Sequence, residues 1–202
     1  MQADDLVETR HDMSLRFCIA DPPYLGRAVR WYGHGGCGDG YGVGQADNHP
    51  NAADWDDPQR HQKLVADLER DFDGWAIAMS VHSLSTYLQV LETDSRNGIR
   101  VAVWHKPSSL TSGARVCNRW EPVLLRIPKS RRGRTVGKSC SDVFQSVPAR
   151  NGFRGAKPHG WTLWILEMLG VQPHDEVIDM FHGSGAVSES LAAMGMSSEE
   201  LP

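Results

Sequence analysis

The stretch Asp179-Met180-Phe181-His182-Gly183-Ser184-Gly185 lies between the strand-like run Glu176-Val177-Ile178 and a segment, 186–194, with apolar residues at helical spacing. This pattern predicts a strand, a glycine-rich turn and a helix, and we call 179–185 the glycine motif. Glycines at such a turn let a ligand approach the backbone, and the following helix presents free N–H groups. A nicotinamide or flavin enzyme is disfavoured, because the dinucleotide fingerprint needs a third glycine where this chain has Ser188.

A second motif follows another apolar run. Residues 15–20 predict a buried strand that ends at Asp21-Pro22-Pro23-Tyr24, here called the proline motif. Proline fixes φ and biases the residue before it toward an extended conformation, so the tetrapeptide is a rigid exit from the strand. A carboxylate beside the Pro22 carbonyl can accept both hydrogens of an exocyclic amino group, while Tyr24 stacks on the attached ring. This pattern favours a nucleobase that carries an NH₂; the alternative is a strand terminator with an exposed tyrosine.

Strands and helices are predicted to alternate along the chain. Further strands are indicated at 75–79, 99–104, 122–127 and 176–179, and helices at 64–72, 81–91, 161–169 and 186–194. This alternation indicates an α/β fold with a sheet covered by helices on both faces. Ligands of open α/β sheets bind beyond the carboxyl ends of the strands, so we expect both motifs to share one pocket.

The chain is long enough for one domain with its own core. Its 202 residues are 40% apolar and 23% charged, which predicts a single domain over 1–202. Residues 33–58 are crowded with Gly, Asp, Asn and Pro and predict a long loop, either a lid or a plainly flexible segment. Residues 128–157 are predicted to form a basic insert.

Positive charge is concentrated in the middle of the chain. The formal net charge is −4, but residues 100–157 hold 13 Lys and Arg against two acidic residues, a net +11. The densest part, 129–138, has too few apolar residues for a core, so a phosphate backbone is its natural partner. The alternative is a solvated loop balanced by the acidic ends of the molecule. The glycine spacing at 133–139 is one residue short of a P-loop, which argues against a nucleoside triphosphatase.

Cysteine and histidine usage predicts neither disulfides nor a metal site. The four cysteines are far apart without Cys-x-x-Cys spacing, so reduced thiols are expected. His34 and Cys37 share a glycine-rich stretch, where an ordinary loop is favoured over a metal pair. No apolar run approaches the length of a membrane span, and the acidic N-terminus is unlike a signal peptide. A cytoplasmic protein without membrane contact is predicted.

Together the two motifs resemble those of the amino-group DNA methyltransferases, which use S-adenosylmethionine to modify N6 of adenine or N4 of cytosine. Asp21-Pro22-Pro23-Tyr24 matches the family's catalytic motif, and Asp179–Gly185 matches its D-x-F-x-G-x-G cofactor motif. The catalytic motif comes first, which resembles the circularly permuted group called beta class. Segments 103–107 and 120–125 and the pair Lys157-Pro158 resemble further landmarks of that order.

The resemblance implies a Rossmann-like, mostly parallel sheet in permuted methyltransferase topology, and a site-specific bacterial or phage enzyme acting on DNA. It places the proline motif, Asp21, Pro22, Pro23 and Tyr24, in catalysis. It assigns cofactor binding to Asp179, Phe181, Gly183, Ser184, Gly185, Lys157 and Pro158. An acid at the first position of the catalytic motif is commoner in adenine enzymes, which favours N6 of adenine. Contacts to DNA phosphates are expected from Lys129, Arg131, Arg132, Arg134 and Lys138.

The chain departs from the family pattern near its C-terminus. In the family, the strand after the glycine-rich helix ends in an acidic residue that hydrogen-bonds the cofactor ribose, and by spacing this acid would fall near position 202. Glu199 and Glu200 lie in a Ser/Glu-rich tail without strand character, so neither receives that role and a C-terminally truncated fold is expected. Three explanations remain open: a homodimer or a partner subunit that completes the cofactor site, a looser pocket, or loss of activity.

Two alternative functions remain open. One is a catalytically weak or inactive relative that binds nucleic acid through its basic segment. The other is an enzyme with the same chemistry that acts on RNA or on a protein side-chain amide. The basic segment favours nucleic acid over protein but does not separate DNA from RNA.

Overall fold

Seven strands form one sheet within the described part of the chain. The computed structural model describes residues 14–33, 51–91, 98–107, 115–133, 137–149, 156–196 and 198–200. The strands are β1 (Arg16–Ala20), β2 (Gly74–Ala78), β3 (Ile99–His105), β4 (Trp120–Arg126), β5 (Val143–Gln145), β6 (Glu176–Asp179) and β7 (Ser198–Glu200). The α-helices are α1 (Ala28–Tyr32), α2 (Pro58–Asp71), α3 (Leu84–Leu88), α4 (His159–Leu169) and α5 (Ala186–Ala193).

The sheet has the strand order β5-β3-β4-β2-β1-β6-β7. β1 pairs in parallel with both β2 and β6, and β6 pairs in parallel with β7. β4 runs antiparallel to β2 and β3, while β5 is parallel to β3. The prediction of a mostly parallel sheet is confirmed. β1, β2 and β6 therefore end at one edge, which we call the carboxyl edge, and begin at the opposite amino edge.

Helices cover both faces of this sheet. Along β1, Phe17 and Ile19 pack in the cluster that contains α4 and α5, whereas Cys18 and Ala20 pack in the cluster that contains α2 and α3. All four side chains are almost completely buried. A central strand buried on both faces is expected to be a continuous apolar run rather than an alternating one, as this segment is. The predicted two-sided α/β fold is confirmed.

The predicted strands and helices are present, and most of their ends shift by one or two residues. The helix predicted at 64–72 is longer, since α2 begins six residues earlier, at Pro58. The predicted helix 81–91 is divided into a 3₁₀ turn, Val81–Ser83, and α3. α4 ends where predicted, at Gly170, whose φ of 73° closes the helix in a left-handed conformation. Among the described helices, none has both the length and the apolar character needed to cross a bilayer.

The expectation that the C-terminal tail lacks strand character is wrong. Residues 198–200 form β7, and their backbone pairs in register with β6, so that Glu199 lies opposite Ile178 and Glu200 opposite Asp179. Backbone hydrogen bonding to an existing parallel strand overrides the weak strand propensity of Ser and Glu, because that propensity depends strongly on context.

The predicted loop 33–58 is not irregular throughout. Residues Ala52–Asp56 form a 3₁₀ helix in which Trp55 is buried, and α2 begins at Pro58 behind the N-cap Asp57. Residues 34–50, including His34 and Cys37, lie outside the described residues. The basic insert 128–157 also contributes to the fold, since it contains the 3₁₀ turn Lys129–Arg131 and the edge strand β5.

A buried carboxylate joins the strands that carry the two motifs. The Asp175 side chain accepts hydrogen bonds from the N–H groups of Leu15 and Gln172, at 2.8 and 2.7 Å, and from the Arg131 guanidinium at 2.9 Å. Its side chain is 0% exposed. Leu15 precedes β1 and Asp175 precedes β6, so this contact holds the two strands together at the amino edge.

Asp175→Ala is expected to lower the free energy of unfolding by about 3–5 kcal/mol, because it leaves a buried guanidinium without its partner. The surface variant Asp71→Ala, whose carboxylate pairs with exposed Arg70, is expected to leave the free energy of unfolding nearly unchanged, because solvent screens such a pair. Urea denaturation followed by circular dichroism measures both. Equal losses in the two variants would contradict the structural role of Asp175.

Candidate active site

The two motifs lie beside each other at the carboxyl edge. The proline motif follows β1, and the glycine motif begins at Asp179, the last residue of β6. Ile19 is the register partner of Asp179, and the N–H of Met180 donates to the Ile19 carbonyl at 3.1 Å. The expectation that residues near the start of the chain and residues near its end meet across neighbouring strands is confirmed.

Within the proline motif, Pro22 and Pro23 are buried, while Asp21 and Tyr24 remain partly exposed. The Tyr24 carbonyl accepts from the Arg27 N–H at 2.9 Å. This closes a turn in which Gly26 has a φ of 72°, a conformation that favours glycine. The motif therefore leaves β1 as a rigid corner that exposes one carboxyl group and one aromatic ring.

A partly buried ion pair holds the Tyr24 ring from the other side. The Tyr24 hydroxyl donates to Glu121 at 3.0 Å, and Glu121 also pairs with the Lys106 ammonium. Glu121 lies on β4 and Lys106 directly follows β3, so the antiparallel pairing of these strands brings both to the carboxyl edge. Burial lowers the pKa of Lys106, and the Glu121 charge opposes this shift.

Lys157 reaches the proline motif from the segment before α4. Its Nζ donates to Asp21 Oδ2 at 2.5 Å and lies 3.4 Å from the Tyr24 hydroxyl oxygen. The ammonium also lies between 5.6 and 5.9 Å from the ring centroids of Tyr24, Trp104 and Trp161. Only 6% of the Lys157 side chain is exposed. The ammonium is therefore paired with the carboxylate of the proline motif.

The two oxygens of Asp21 have different surroundings. Oδ1 is buried and has no hydrogen-bond partner among the described residues, whereas Oδ2 is bound by Lys157. The side chain as a whole is 30% exposed. Because Oδ1 is buried, the accessible part of this carboxyl lies toward Oδ2. Burial raises the pKa of Asp21, and the charge and hydrogen bond of Lys157 act against that rise.

The glycine motif forms a narrow turn in front of α5. Gly183 and Gly185 have φ values of 48° and 76°, a left-handed conformation that suits glycine. Gly183 is exposed, whereas Gly185 is buried. The Asp179 side chain is 2% exposed and accepts from the Ser188 hydroxyl at 3.4 Å. Burial raises the pKa of Asp179. The turn suits a ligand with hydrogen-bond donors for Asp179 and an anionic group for the start of α5.

The first residue of α4 is held against α5. Ser190 on α5 contacts the His159 ring, with 2.7 Å between Oγ and Nδ1, and Ser190 also donates to the Ala186 carbonyl. This contact brings Lys157 and Pro158 to the edge that holds both motifs. Ser184, by contrast, is partly exposed within the turn.

Three aromatic side chains that the sequence analysis did not select support Phe181. The Trp55 ring packs edge-on against Phe181 with 5.0 Å between centroids. Buried His61 contacts the Trp55 carbonyl through Nε2 at 2.7 Å and the Tyr87 hydroxyl through Nδ1 at 2.6 Å. A carbonyl only accepts, so Nε2 carries the proton and Nδ1 accepts from Tyr87.

The carboxylate of Asp56, beside Trp55, accepts from two N–H groups of α1.

The predicted phosphate-binding residues lie away from this site. Lys129 and Arg131 lie in one 3₁₀ turn, in which Lys129 is exposed and Arg131 is nearly buried. Arg131 pairs with Asp175, which places this turn at the amino edge. Arg132 donates to the Ile127 carbonyl just after β4, and Lys138 lines a cavity of about 690 Å³ together with Arg132. Arg134 lies outside the described residues. None of the described basic residues of this group lies beside the proline motif.

Comparison with known proteins identifies the fold. No protein-family model matches this chain, and no curated protein matches it. Among solved structures, M1.HpyAVI in complex with SAM has a TM-score of 0.56 and 14% identity, over 93% of this chain and 81% of that chain. TTHA0409 of Thermus thermophilus, described as a candidate DNA modification methylase, has a TM-score of 0.54 and 14% identity, over 93% and 80%. The chain therefore shares the α/β fold of these proteins.

The pH dependence of stability is expected to depend on His61. Burial lowers the pKa of His61 below its usual 6.5, so below pH 6.5 the unfolded chain binds more protons at this position than the folded chain. The contribution of neutral His61 to the free energy of unfolding is complete above pH 6.5 and is lost as the pH falls. His61→Gln should therefore show a shallower fall in unfolding free energy from pH 7 to pH 5 than the parent protein.

Exposed His82 provides the matched control, because His82→Gln changes a histidine that is open to solvent. Urea denaturation at several pH values measures all three proteins. An unchanged slope in His61→Gln would show that His61 does not carry this dependence.

Proposed function

We propose that this protein is an S-adenosylmethionine-dependent DNA methyltransferase that modifies the exocyclic amino group of a base, N6 of adenine in preference to N4 of cytosine. The observation that carries this proposal is the adjacency of the proline and glycine motifs on the paired strands β1 and β6. The fold shared with M1.HpyAVI and TTHA0409 supports it. TTHA0409 is described as a candidate DNA modification methylase, and M1.HpyAVI was solved with SAM.

In this proposal, Asp21 and the Pro22 carbonyl bind the amino hydrogens of the target base. The amino nitrogen of adenine is a weak nucleophile because its lone pair is delocalised into the ring. Two acceptors that hold its N–H bonds favour a pyramidal nitrogen and direct the lone pair outward. The nitrogen carries a surplus proton after it gains a methyl group, and the Asp21 carboxylate is placed to accept it.

Tyr24 supplies the stacking surface for the extruded base. Extrusion from a duplex costs a few kcal/mol, and base–aromatic stacking of about 1–3 kcal/mol offsets part of this cost. The turn at Gly26 and the hydrogen bond to Glu121 fix the ring before the base arrives. Less conformational entropy is then lost on binding.

The residues around the glycine motif fit the cofactor. When bound, S-adenosylmethionine supplies a methyl group on a sulfonium sulfur, which is a strong leaving group. Exposed Gly183 and the start of α5 suit its amino-acid end, and Phe181 and Pro158 line the same edge. Buried Asp179 is an acceptor for its donors. The register places Glu200 opposite Asp179 on β7, so an acidic residue stands at the carboxyl edge two positions before 202, where the resemblance expects the ribose-binding acid.

DNA would approach the carboxyl edge, where the base must reach Asp21. β1 spans five residues, or about 15 Å, so Lys129 and Arg132 at the amino edge lie well away from the target base. Arg27 and Arg30, exposed beside the proline motif, are closer. We therefore extend the phosphate-binding group to these two arginines.

Asp21→Ala is expected to reduce methyl transfer by at least about 100-fold, because the base loses its amino acceptor, while binding of S-adenosylmethionine stays nearly unchanged. The assay incubates the protein with radiolabelled S-adenosylmethionine and DNA, RNA or protein acceptors, and then digests the labelled acceptor to nucleosides. Label in N6-methyladenine from DNA is the expected product.

Other outcomes of the same assay identify the alternatives. Label in RNA or in protein would replace the DNA assignment with one of the other acceptors. Cofactor binding without transfer to any acceptor would indicate an inactive relative. Asp179→Ala serves as the cofactor-site control, since it should weaken S-adenosylmethionine binding where Asp21→Ala does not.

Arg27→Ala should weaken DNA binding for all sequences alike and reduce the slope of log K against log salt by about one. Lys129→Ala, which removes an equally exposed charge at the amino edge, should change this slope less. Fluorescence anisotropy with a labelled duplex at several salt concentrations measures both slopes. A larger effect of Lys129 would place the DNA at the amino edge instead.

A further inference from the structure

We propose that Lys157 is a positioning residue for Asp21: its ammonium keeps the carboxyl ionised and holds Oδ2 where the amino group of a base can donate to it. The assignment rests on the proposed function for the role of Asp21 in base binding. It differs from the cofactor-binding role that the resemblance implies for Lys157.

The hydrogen bonds of Asp21 are the first support. Among the described residues, the Lys157 ammonium is the one donor to its carboxyl, because Oδ1 has no partner and Oδ2 is bound by Nζ at 2.5 Å. A carboxylate that is largely removed from water is costly unless a cation or several donors compensate it. Without Lys157, Asp21 would keep only the weaker charge interaction with Lys106 and would take up a proton more readily.

The charge balance around Asp21 points the same way. The titratable and charged groups that face Asp21 come from several elements. They are Lys157 before α4, Tyr24 in the proline motif, Lys106 after β3, Glu121 on β4, Tyr87 on α3 and Asp179 at the end of β6. Two ammonium groups thus face three carboxyl groups, counting Asp21 itself. Loss of Lys157 would leave one cation against three carboxyl groups, and like-charge repulsion would then favour protonation of Asp21.

The surroundings of Lys157 restrict the ammonium to this position. Its Nζ lies over the rings of Tyr24, Trp104 and Trp161, and the Trp104 indole is held by a hydrogen bond to Ser146 Oγ at 2.9 Å. A lysine side chain that is 6% exposed and surrounded by aromatic rings has few alternative rotamers. The ammonium can therefore fix the orientation of the Asp21 carboxyl as well as its charge.

The proposal is tested with Lys157→Met, which keeps the length of the side chain and removes its charge. Lys157→Arg is the conservative variant, and Lys106→Met is the matched control, since Lys106 binds Glu121 rather than Asp21. The pKa of Asp21 is measured in each full-length protein by NMR titration of ¹³C-labelled aspartate, with Asp21→Asn to assign the resonance. The pH dependence of kcat/KM and the Kd for S-adenosylmethionine are measured in parallel.

In Lys157→Met we expect the Asp21 pKa and the acidic limb of kcat/KM to move together to higher pH. At a fixed pH below the limb, kcat/KM should fall about tenfold for each pH unit by which the limb moves, and kcat/KM should recover at higher pH. The Kd for S-adenosylmethionine should stay within about twofold of the parent value. Lys157→Arg should keep the acidic limb close to its position in the parent protein. Lys106→Met should move the limb less than Lys157→Met does.

Two results would overturn the proposal. Weaker S-adenosylmethionine binding with an unmoved Asp21 pKa would make Lys157 a cofactor ligand. Loss of activity at every pH with an unmoved Asp21 pKa would make it a purely structural residue.

A measurement on the parent protein covers the case in which Lys157→Met does not fold. The Lys157 side-chain ¹⁵N resonance should then respond at the pH where the Asp21 carboxyl titrates, and this response should vanish in Asp21→Asn. A Lys157 ¹⁵N resonance that does not change at the pH where Asp21 titrates would contradict the proposal. The NMR titrations need no substrate, so they decide the pairing even if the parent protein transfers no methyl group and the proposed function fails.

Discussion

The parallel pairing of β1 with β6 is the constraint on which the rest of this structure depends. Both strands are buried between helices on the two faces of the sheet, so their register is fixed by packing as well as by backbone hydrogen bonds. Asp175 joins their amino ends. The proline motif and the glycine motif consequently leave the sheet side by side, although they lie at opposite ends of the chain.

Charged side chains withdrawn from solvent beside aromatic rings determine the chemistry of the carboxyl edge. Asp21 pairs with Lys157, Glu121 pairs with Lys106, and the Tyr24 hydroxyl lies between the two pairs. Charges removed from water interact more strongly than charges at the surface, and each also needs its partner more. The position and protonation of Asp21 therefore depend on residues from β3, β4 and the start of α4 rather than on the proline motif alone.

Local sequence patterns were enough to predict most of the fold and both motifs. The apolar run at 15–20 and the glycines at 183 and 185 express backbone and burial requirements that neighbouring residues satisfy by themselves. β7 was missed because its Ser and Glu residues pair with β6 only once that strand is in place. Trp55 was missed because it lies in a glycine- and aspartate-rich segment, and its burial depends on Phe181, which is distant in sequence.

The sequence by itself determined the α/β class, the two motifs and the concentration of positive charge between residues 100 and 157. Tertiary structure alone decided that Lys157 meets Asp21, that Arg131 is held by Asp175, and that the described basic turn lies at the edge opposite the proline motif. The physical reason is the difference in sequence range between these interactions. Strand and turn preferences act between residues close in the chain, whereas ion pairing and burial act between side chains that only the sheet register brings together.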